Sequence, residues 1–380
     1  MNNLRIGLVV PAHNPLPSPP DKIWAPGMVV FNLAKKLSTL GHRVFLFAAD
    51  DSKSESLKIN FIKTGINSLY HDFPHLRDED FPKFSELFAI YDLAIVSKAI
   101  EFANNNQLDI LHFHDLRRPL FLLSLIKKPT LFTYHNNLSP LYHFWLKSAA
   151  KRFGDKIYLT ALSEKHSLQF KKYFRNVQVI HNGIEIDKFK YHHRTGKNFL
   201  FVGRMIKDKG VKNAIEIALK TGIKLDLIGH AGDTEEDKKY FQEILKRIKK
   251  TRNIRYLGYV THEEMSGKYA DAKALLFPLE WDEPFGLSMV EAMASGVPVI
   301  AYDTGSVGEL VINNKTGFVI PKGNQLEMIK AINLLQKMPK ENYLKMKKNC
   351  RRHVEENYSL DKMVIEYEKV YYKIIRKMKD

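Results

Sequence analysis

Short runs of aliphatic and β-branched residues alternate with stretches of helical periodicity from one end of the chain to the other. That alternation selects the α/β class, in which parallel sheets are wrapped by helices. In the first half the strand-like runs fall at residues 4–10, 43–49, 109–114, 129–134, 157–162 and 177–181. Helices are expected between them, for example at 27–40, where Val30, Leu33, Ala34, Leu37 and Leu40 form an apolar stripe and Gly41 supplies the stop. Residues 182–197 are polar and follow neither period, so they read as a connection. A second set of strands then falls near 198–203, 223–229, 254–258, 273–278, 297–301 and 317–320, and the chain is helical from about 324. At 380 residues the chain exceeds what one core usually serves, so two domains follow. Open parallel sheets bind ligands beyond the carboxyl ends of their strands. Two such domains facing each other are expected to form a deep cleft, with the chemistry on strand-to-helix loops.

The composition, 44% hydrophobic and 27% charged, excludes a disordered or fibrous chain. One cysteine, Cys350, has no partner for an intramolecular disulfide, which fits a reducing, cytoplasmic setting. The apolar core of the first residues, Ile6 to Val10, is too short for a signal peptide and reads as a strand. No 18 consecutive apolar residues occur, so membrane contact is expected to be peripheral, on the inner face. The net charge of +17 is concentrated: residues 117–175 hold 12 Lys/Arg against 2 Asp/Glu, and residues 337–380 hold 13 against 7. Within the first segment, residues 138–152 run from apolar and aromatic positions into cations. Two readings fit them, contact with an anionic membrane and a core-packing helix with solvated lysines.

The strongest motif is Glu283-Pro284-Phe285-Gly286, which follows the strand-like Ala274 to Pro278 and leads into a helix with Leu287, Val290 and Met293 on one face. Free N–H groups at a helix start form an anion site suited to a diphosphate. Glu283 lies before that helix and Glu291 inside it, and carboxylates accept from vicinal diols, so one suits a sugar and the other a ribose. On the residues alone, a capping loop with a solvated helical Glu is the alternative. The next motif is a buried strand ending in Gly203, followed by Arg204 and then Lys209-Gly210. Arg offers a rigid fork and Lys a point charge to a negatively charged leaving group. A surface loop with locally paired Lys is the alternative there.

Gly203-Arg204, Lys209-Gly210 and the pair Glu283 and Glu291, seven residues between them, resemble the retaining glycosyltransferases of family 4, which have the GT-B fold of two Rossmann-like domains. Other pieces agree in order: Gly41-His42, His112-Phe113-His114, Thr133-Tyr134-His135, His181-Asn182-Gly183, Gly296-Val297-Pro298 and Gly305 to Glu309. The resemblance implies an acceptor-binding domain at 1–190, a donor-binding domain at 191–359, and a terminal helix, about 360–380, packing back on the first. It implies Arg204 and Lys209 on the donor diphosphate, Glu291 on the ribose, Glu283 on the transferred sugar, and contacts from the backbone amides of Phe285, Gly286 and Leu287. His135 would approach the sugar from the first domain; without the family it reads as a satisfied histidine at a strand end. The family usually carries a glycine pair in the loop after its first strand. Here only Gly27 of Trp24-Ala25-Pro26-Gly27-Met28 matches, Pro26 stiffens the loop, and Val29 stands where an acidic residue is common.

His112 and His114 are expected on opposite faces of one strand, unable to share a metal, with at least one of them structural. Arg77-Asp78-Glu79-Asp80 superficially resembles the acidic metal motif of another glycosyltransferase fold, but it lies far in sequence from the donor motifs. The GT-B resemblance implies metal independence, so neither metal nor cofactor is expected. The implied reaction moves a hexosyl group, with retention, from a nucleoside-diphosphate sugar to a hydroxyl acceptor. A UDP-sugar such as UDP-glucose is the first donor candidate and GDP-mannose the second; a glycan or lipid-linked molecule is the candidate acceptor. An epimerase or phosphorylase on the same fold is the competing enzyme. A nucleic-acid-binding protein fits the basic charge, but no nucleic-acid motif is present and no such partner is expected.

Overall fold

The computed structural model describes residues 3–19, 24–53, 58–76, 80–106, 108–232 and 234–378. Arg77, Asp78 and Glu79 of the acidic cluster, and the last two residues of the expected terminal helix, lie outside them. Two compact units are present, Met1–Gly183 with Leu360–Asp380, and Ile184–Ser359.

In the first unit β1 (Arg5–Val9), β2 (Arg43–Phe47), β3 (Ile59–Ile62), β4 (Ile110–Phe113), β5 (Thr130–Thr133), β6 (Tyr158–Ala161) and β7 (Asn176–Val179) form one sheet in the order β3-β2-β1-β4-β5-β6-β7. Every pairing in it is parallel. In the second unit β8 (Asn198–Val202), β9 (Leu225–Ile228), β10 (Ile254–Tyr256), β11 (Ala272–Phe277), β12 (Val299–Tyr302) and β13 (Gly317–Ile320) form a second parallel sheet, ordered β10-β9-β8-β11-β12-β13. The central strands are buried on both faces and read as apolar runs; that continuity made them visible in the sequence. β3 was not expected. It is a four-residue edge strand whose Asn60 is exposed, so it carries no apolar run.

The helices of eight residues or more are α1 (Ala25–Thr39), α2 (Phe81–Asn105), α3 (Tyr142–Phe153), α4 (Glu164–Lys171), α5 (Val211–Thr221), α6 (Glu235–Ile248), α7 (His262–Ala270), α8 (Leu287–Ala294), α9 (Gln325–Lys337), α10 (Lys340–Asn357) and α11 (Leu360–Lys377). One core gathers Val9, Phe47, Leu111, Phe113 and Phe132; the other gathers Phe199, Ile215, Leu227, Leu276 and Ile300. α11 belongs to the first unit. Its Tyr371 hydroxyl lies 2.8 Å from His112 Nδ1, its Tyr367 hydroxyl 3.3 Å from Thr133, and its Glu368 2.8 Å from His42 Nε2.

Strand order reverses direction between β1 and β4 in one sheet and between β8 and β11 in the other. At such a reversal the flanking loops diverge, leaving a crevice beyond the carboxyl ends of the two strands.

Candidate functional site

The loops leaving β8 and β11 carry Arg204, Lys209 and Glu283. β8 ends at Val202, and the next residue, Gly203, donates its N–H to Ile228 O at 3.0 Å. The next turn continues through Arg204 and Met205 into a single 3₁₀ turn, Lys207–Lys209. Gly210 ends that turn at φ +73°, and a Cβ there would lie 2.2 Å from the Pro278 carbonyl oxygen. Only glycine meets both demands, and it presses this loop onto the end of β11.

Lys209 is thereby brought against the β11 loop: its Nζ lies 2.5 Å from Glu283 Oε2, and both side chains are mostly buried. Trp281 Nε1 donates to the same oxygen at 3.2 Å, and the Lys209 ammonium sits 4.6 Å from the centroid of the Trp281 ring. Glu283 is itself clamped from β12. Ser306 N–H donates to Glu283 O at 3.0 Å, the Ser306 hydroxyl donates to Phe285 O, and Gly305 N–H donates to Asp282 Oδ1 at 2.8 Å. The sequence Gly305-Ser306 is required by this clamp. Gly305 has φ +52°, and a Cβ would fall 2.1 Å from the Glu283 carbonyl oxygen.

Gly286, at φ +90°, turns the chain into α8. Phe285 is a core residue, 2% exposed and edge-on to Tyr358, so only its backbone is available to a ligand. The first N–H groups of α8 point out of the helix start without partners inside the helix, an arrangement that favours an anion. One turn in, Glu291 accepts from the Tyr269 hydroxyl at 3.1 Å, and His262 Nδ1 lies 3.9 Å from its other oxygen. Burial raises the Glu291 carboxyl above its ordinary value, and His262 and Tyr269 act against that rise. Trp281, Tyr269 and His262 escaped sequence reasoning as parts of the site, since none stands in a spacing that marks it. Gly305-Ser306 was legible as a family motif, but its clamp on Glu283 follows only from the sheet order.

Gly27 and His135 belong to the other unit. Gly27 lies in the first turn of α1, where the space a Cβ would need is filled by the Trp24 ring, 2.2 Å away. His135 follows β5, is 9% exposed, and its Nε2 lies 3.1 Å from His114 Nδ1. Burial, with His166 nearby, pushes its pKa down to about 4, so the ring is neutral at neutral pH. His112 and His114 are not on opposite faces. Their ring centroids are 4.0 Å apart, because residues two apart along an extended strand share a face. His112 is held between Tyr371 and Thr133, and burial keeps both rings well below the ordinary histidine pKa. Among the described residues no group of three or more His, Cys, Asp or Glu side chains is placed to hold a metal ion; Asp80, from the acidic cluster, caps α2.

The family model described as "Glycosyltransferase Family 4" matches residues 27–188, and that described as "Glycosyl transferases group 1" matches residues 183–353. N-acetyl-alpha-D-glucosaminyl L-malate synthase of Bacillus anthracis is 24% identical over 380 aligned residues, covering 92% of this chain and 94% of that protein. Among solved structures, sucrose-phosphate synthase of Thermosynechococcus elongatus superposes with a TM-score of 0.75 at 18% identity, covering 99% of this chain and 100% of that one. Anabaena HepE in complex with UDP-glucose superposes with a TM-score of 0.70 at 17% identity, covering 98% and 100%. The two family models adjoin at the boundary between the two units, and the chain belongs to the family 4 glycosyltransferases with the GT-B fold.

Proposed function

We propose that the protein transfers a hexosyl group, with retention of configuration and without a metal ion, from a nucleoside-diphosphate sugar to a hydroxyl acceptor. A UDP-sugar is the preferred donor and GDP-mannose the second candidate. The observation that carries this reading is the Lys209–Glu283 contact beside the start of α8. It sets a cation, a carboxylate and a helix N-terminus within one crevice. The Anabaena neighbour bound to UDP-glucose supports the uridine choice.

In this reading Arg204, Lys209 and the first N–H groups of α8 hold the diphosphate, while Glu291 accepts from the ribose hydroxyls. Lys209 keeps one N–H on Glu283 and has two more for phosphate oxygens. As the bond from the anomeric carbon to the phosphate oxygen breaks, its electron pair moves onto the diphosphate. The fixed cations and amides stabilise that charge without reorganising. The acceptor oxygen bonds to the anomeric carbon from the same face, and its proton passes to the departing phosphate oxygen. Glu283 accepts hydroxyl hydrogens of the transferred sugar, and the neutral His135 ring is assigned to that sugar by the family resemblance. Gly27 is assigned to the donor-phosphate side of the loop that precedes it.

A peripheral contact with an anionic membrane belongs to the same reading. Leu141 and Phe144 are 87% and 81% exposed at the start of α3, and Lys147, Lys151 and Arg152 are exposed after them. Apolar tips flanked by cations suit an anionic headgroup layer.

The direct test is donor turnover with product analysis. Wild-type protein should consume UDP-glucose or GDP-mannose and give a product whose anomeric ¹H NMR coupling matches the donor's. Glu283→Ala should lose at least a hundredfold in turnover with its melting temperature little changed. Near-normal turnover by that variant would overturn the assignment.

A further inference from the structure

The segment that opens the second unit is fastened to the helix of the donor site. The chain enters this unit at Ile184, and Phe189, five residues on, is 1% exposed. Arg351 Nη1, from α10, donates to Phe189 O at 2.6 Å and to Ala294 O at 3.0 Å. Ala294 is the last residue of α8. Carbonyl groups at a helix end lack partners inside the helix and favour a cation. One guanidinium nitrogen therefore holds the backbone of Phe189 against the end of the helix whose start forms the anion site.

His262, Ser266 and Tyr269 stand four and then three residues apart on α7, so they share one face of it. The opening segment lies along that face. Lys190 N–H donates to the Ser266 hydroxyl at 3.0 Å, and the Phe189 ring is edge-on to His262 and tilted on Tyr269, at centroid distances of 5.3 and 6.3 Å. The same two rings reach Glu291: His262 through Nδ1 at 3.9 Å, Tyr269 through its hydroxyl. A phenol has one hydrogen to give. Glu291 Oε2 lies 3.1 Å from the Tyr269 hydroxyl and Ser288 O 3.4 Å, so the carboxylate is both the nearer and the stronger acceptor. Burial holds the Tyr269 pKa well above its ordinary value, which keeps that hydrogen in place.

We propose that Tyr269 is a positioning residue: seated on Phe189, it fixes the orientation of the Glu291 carboxylate and so sets a preference for a ribonucleotide over a 2′-deoxyribonucleotide. The proposal rests on the assignment of Glu291 to the donor ribose. The terminal torsion of a glutamate is broad and holds no orientation by itself. With Oε2 committed to the buried phenol, the plane of the carboxylate is set, and its remaining lone pairs point in fixed directions towards two adjacent hydroxyls. A site built to bond a hydroxyl rejects the analogue that lacks it, because its own polar group is left unpaired. Without the phenol the carboxylate turns freely, and the missing 2′-hydroxyl no longer matters as much.

The test is calorimetric titration of the full chain with UDP and GDP, each against its 2′-deoxy counterpart. Wild-type protein should bind the ribose form of its preferred base about tenfold more tightly than the deoxy form. Tyr269→Phe, which removes one oxygen and keeps the ring, should bring that ratio close to one by weakening the ribose form while the deoxy form changes little. A ratio that Tyr269→Phe leaves intact would overturn the proposal. So would an equal weakening of both forms, the mark of a merely structural role. Phe189→Leu should lower the ratio part of the way, and a full ratio in that variant would overturn the seating role of Phe189. Equal binding of both forms by the wild type, or binding of none of the four, is a different result: it refutes the ribose assignment of Glu291 itself, and the proposal with it.

Discussion

Asp92, on α2 in the first unit, is buried and couples stability to pH. Burial and the Asp115 charge push its carboxyl up to about 7 from an ordinary 3.8. The folded state therefore holds the proton more tightly than the unfolded chain. The buried carboxyl costs nothing below about pH 4, costs progressively more as pH rises towards 7, and costs a constant amount above it. Asp92→Asn removes a penalty on the order of a few kcal/mol at alkaline pH and none at acid pH. Thermal melts should show the variant gaining on wild type between pH 4 and 8; a difference independent of pH would mean that Asp92 is not buried as a titrating acid. At this scale the sequence was informative where a residue type stands beside a structural punctuation mark. Gly203-Arg204, Lys209-Gly210 and Glu283 before Gly286 were all legible for that reason. Their direct contact was not, because 74 positions separate Lys209 from Glu283 and only the adjacency of β8 and β11 joins them. His112 in β4 and His114 just after it were misplaced because alternation returns to the same face at every second residue. Asp92 left no trace at all, since a carboxylate on a helix is ordinary until it proves buried.

At the scale of elements, glycines decide how the β11 and β12 loops meet. Gly305 needs a positive φ and also yields its Cβ space to the backbone of Glu283, whereas Gly222, at φ +69°, ends α5 with nothing within 4 Å. Gly222→Ala should cost about 1 kcal/mol from backbone strain alone and leave nucleotide binding intact. Gly305→Ala must displace residues 282–285. It should therefore abolish UDP-induced stabilisation as well as lowering the melting temperature, which differential scanning fluorimetry of both variants measures. Equal behaviour of the two would show that the clamp does not position Glu283. The strands of both sheets were legible wherever they are buried runs, and α1 was legible from its apolar stripe. β3 was hidden by its polar edge character, and the strand order, which creates both crevices, follows from tertiary pairing that no local pattern encodes.

At the scale of the molecule, two parallel sheets each present a reversal of strand order. The basic charge has a separate bearing. No helix among the described residues is long and apolar enough to cross a membrane. The proposed membrane contact is carried by the exposed Leu141 and Phe144. Replacing both by Ser should reduce cosedimentation with phosphatidylglycerol vesicles at low salt without altering donor turnover; failure of the unaltered protein to sediment would remove the membrane contact. The donor crevice is tested most directly by a thermal-shift screen of nucleoside diphosphates and their sugars. UDP and a UDP-sugar, or failing them GDP and GDP-mannose, at a hundred times their Kd should each stabilise the protein by about 2.7 kcal/mol, and Arg204→Ala should weaken that effect. A screen in which no nucleoside diphosphate or nucleotide sugar stabilises the wild-type protein would contradict the donor site built from Arg204, Lys209, Glu283 and Glu291.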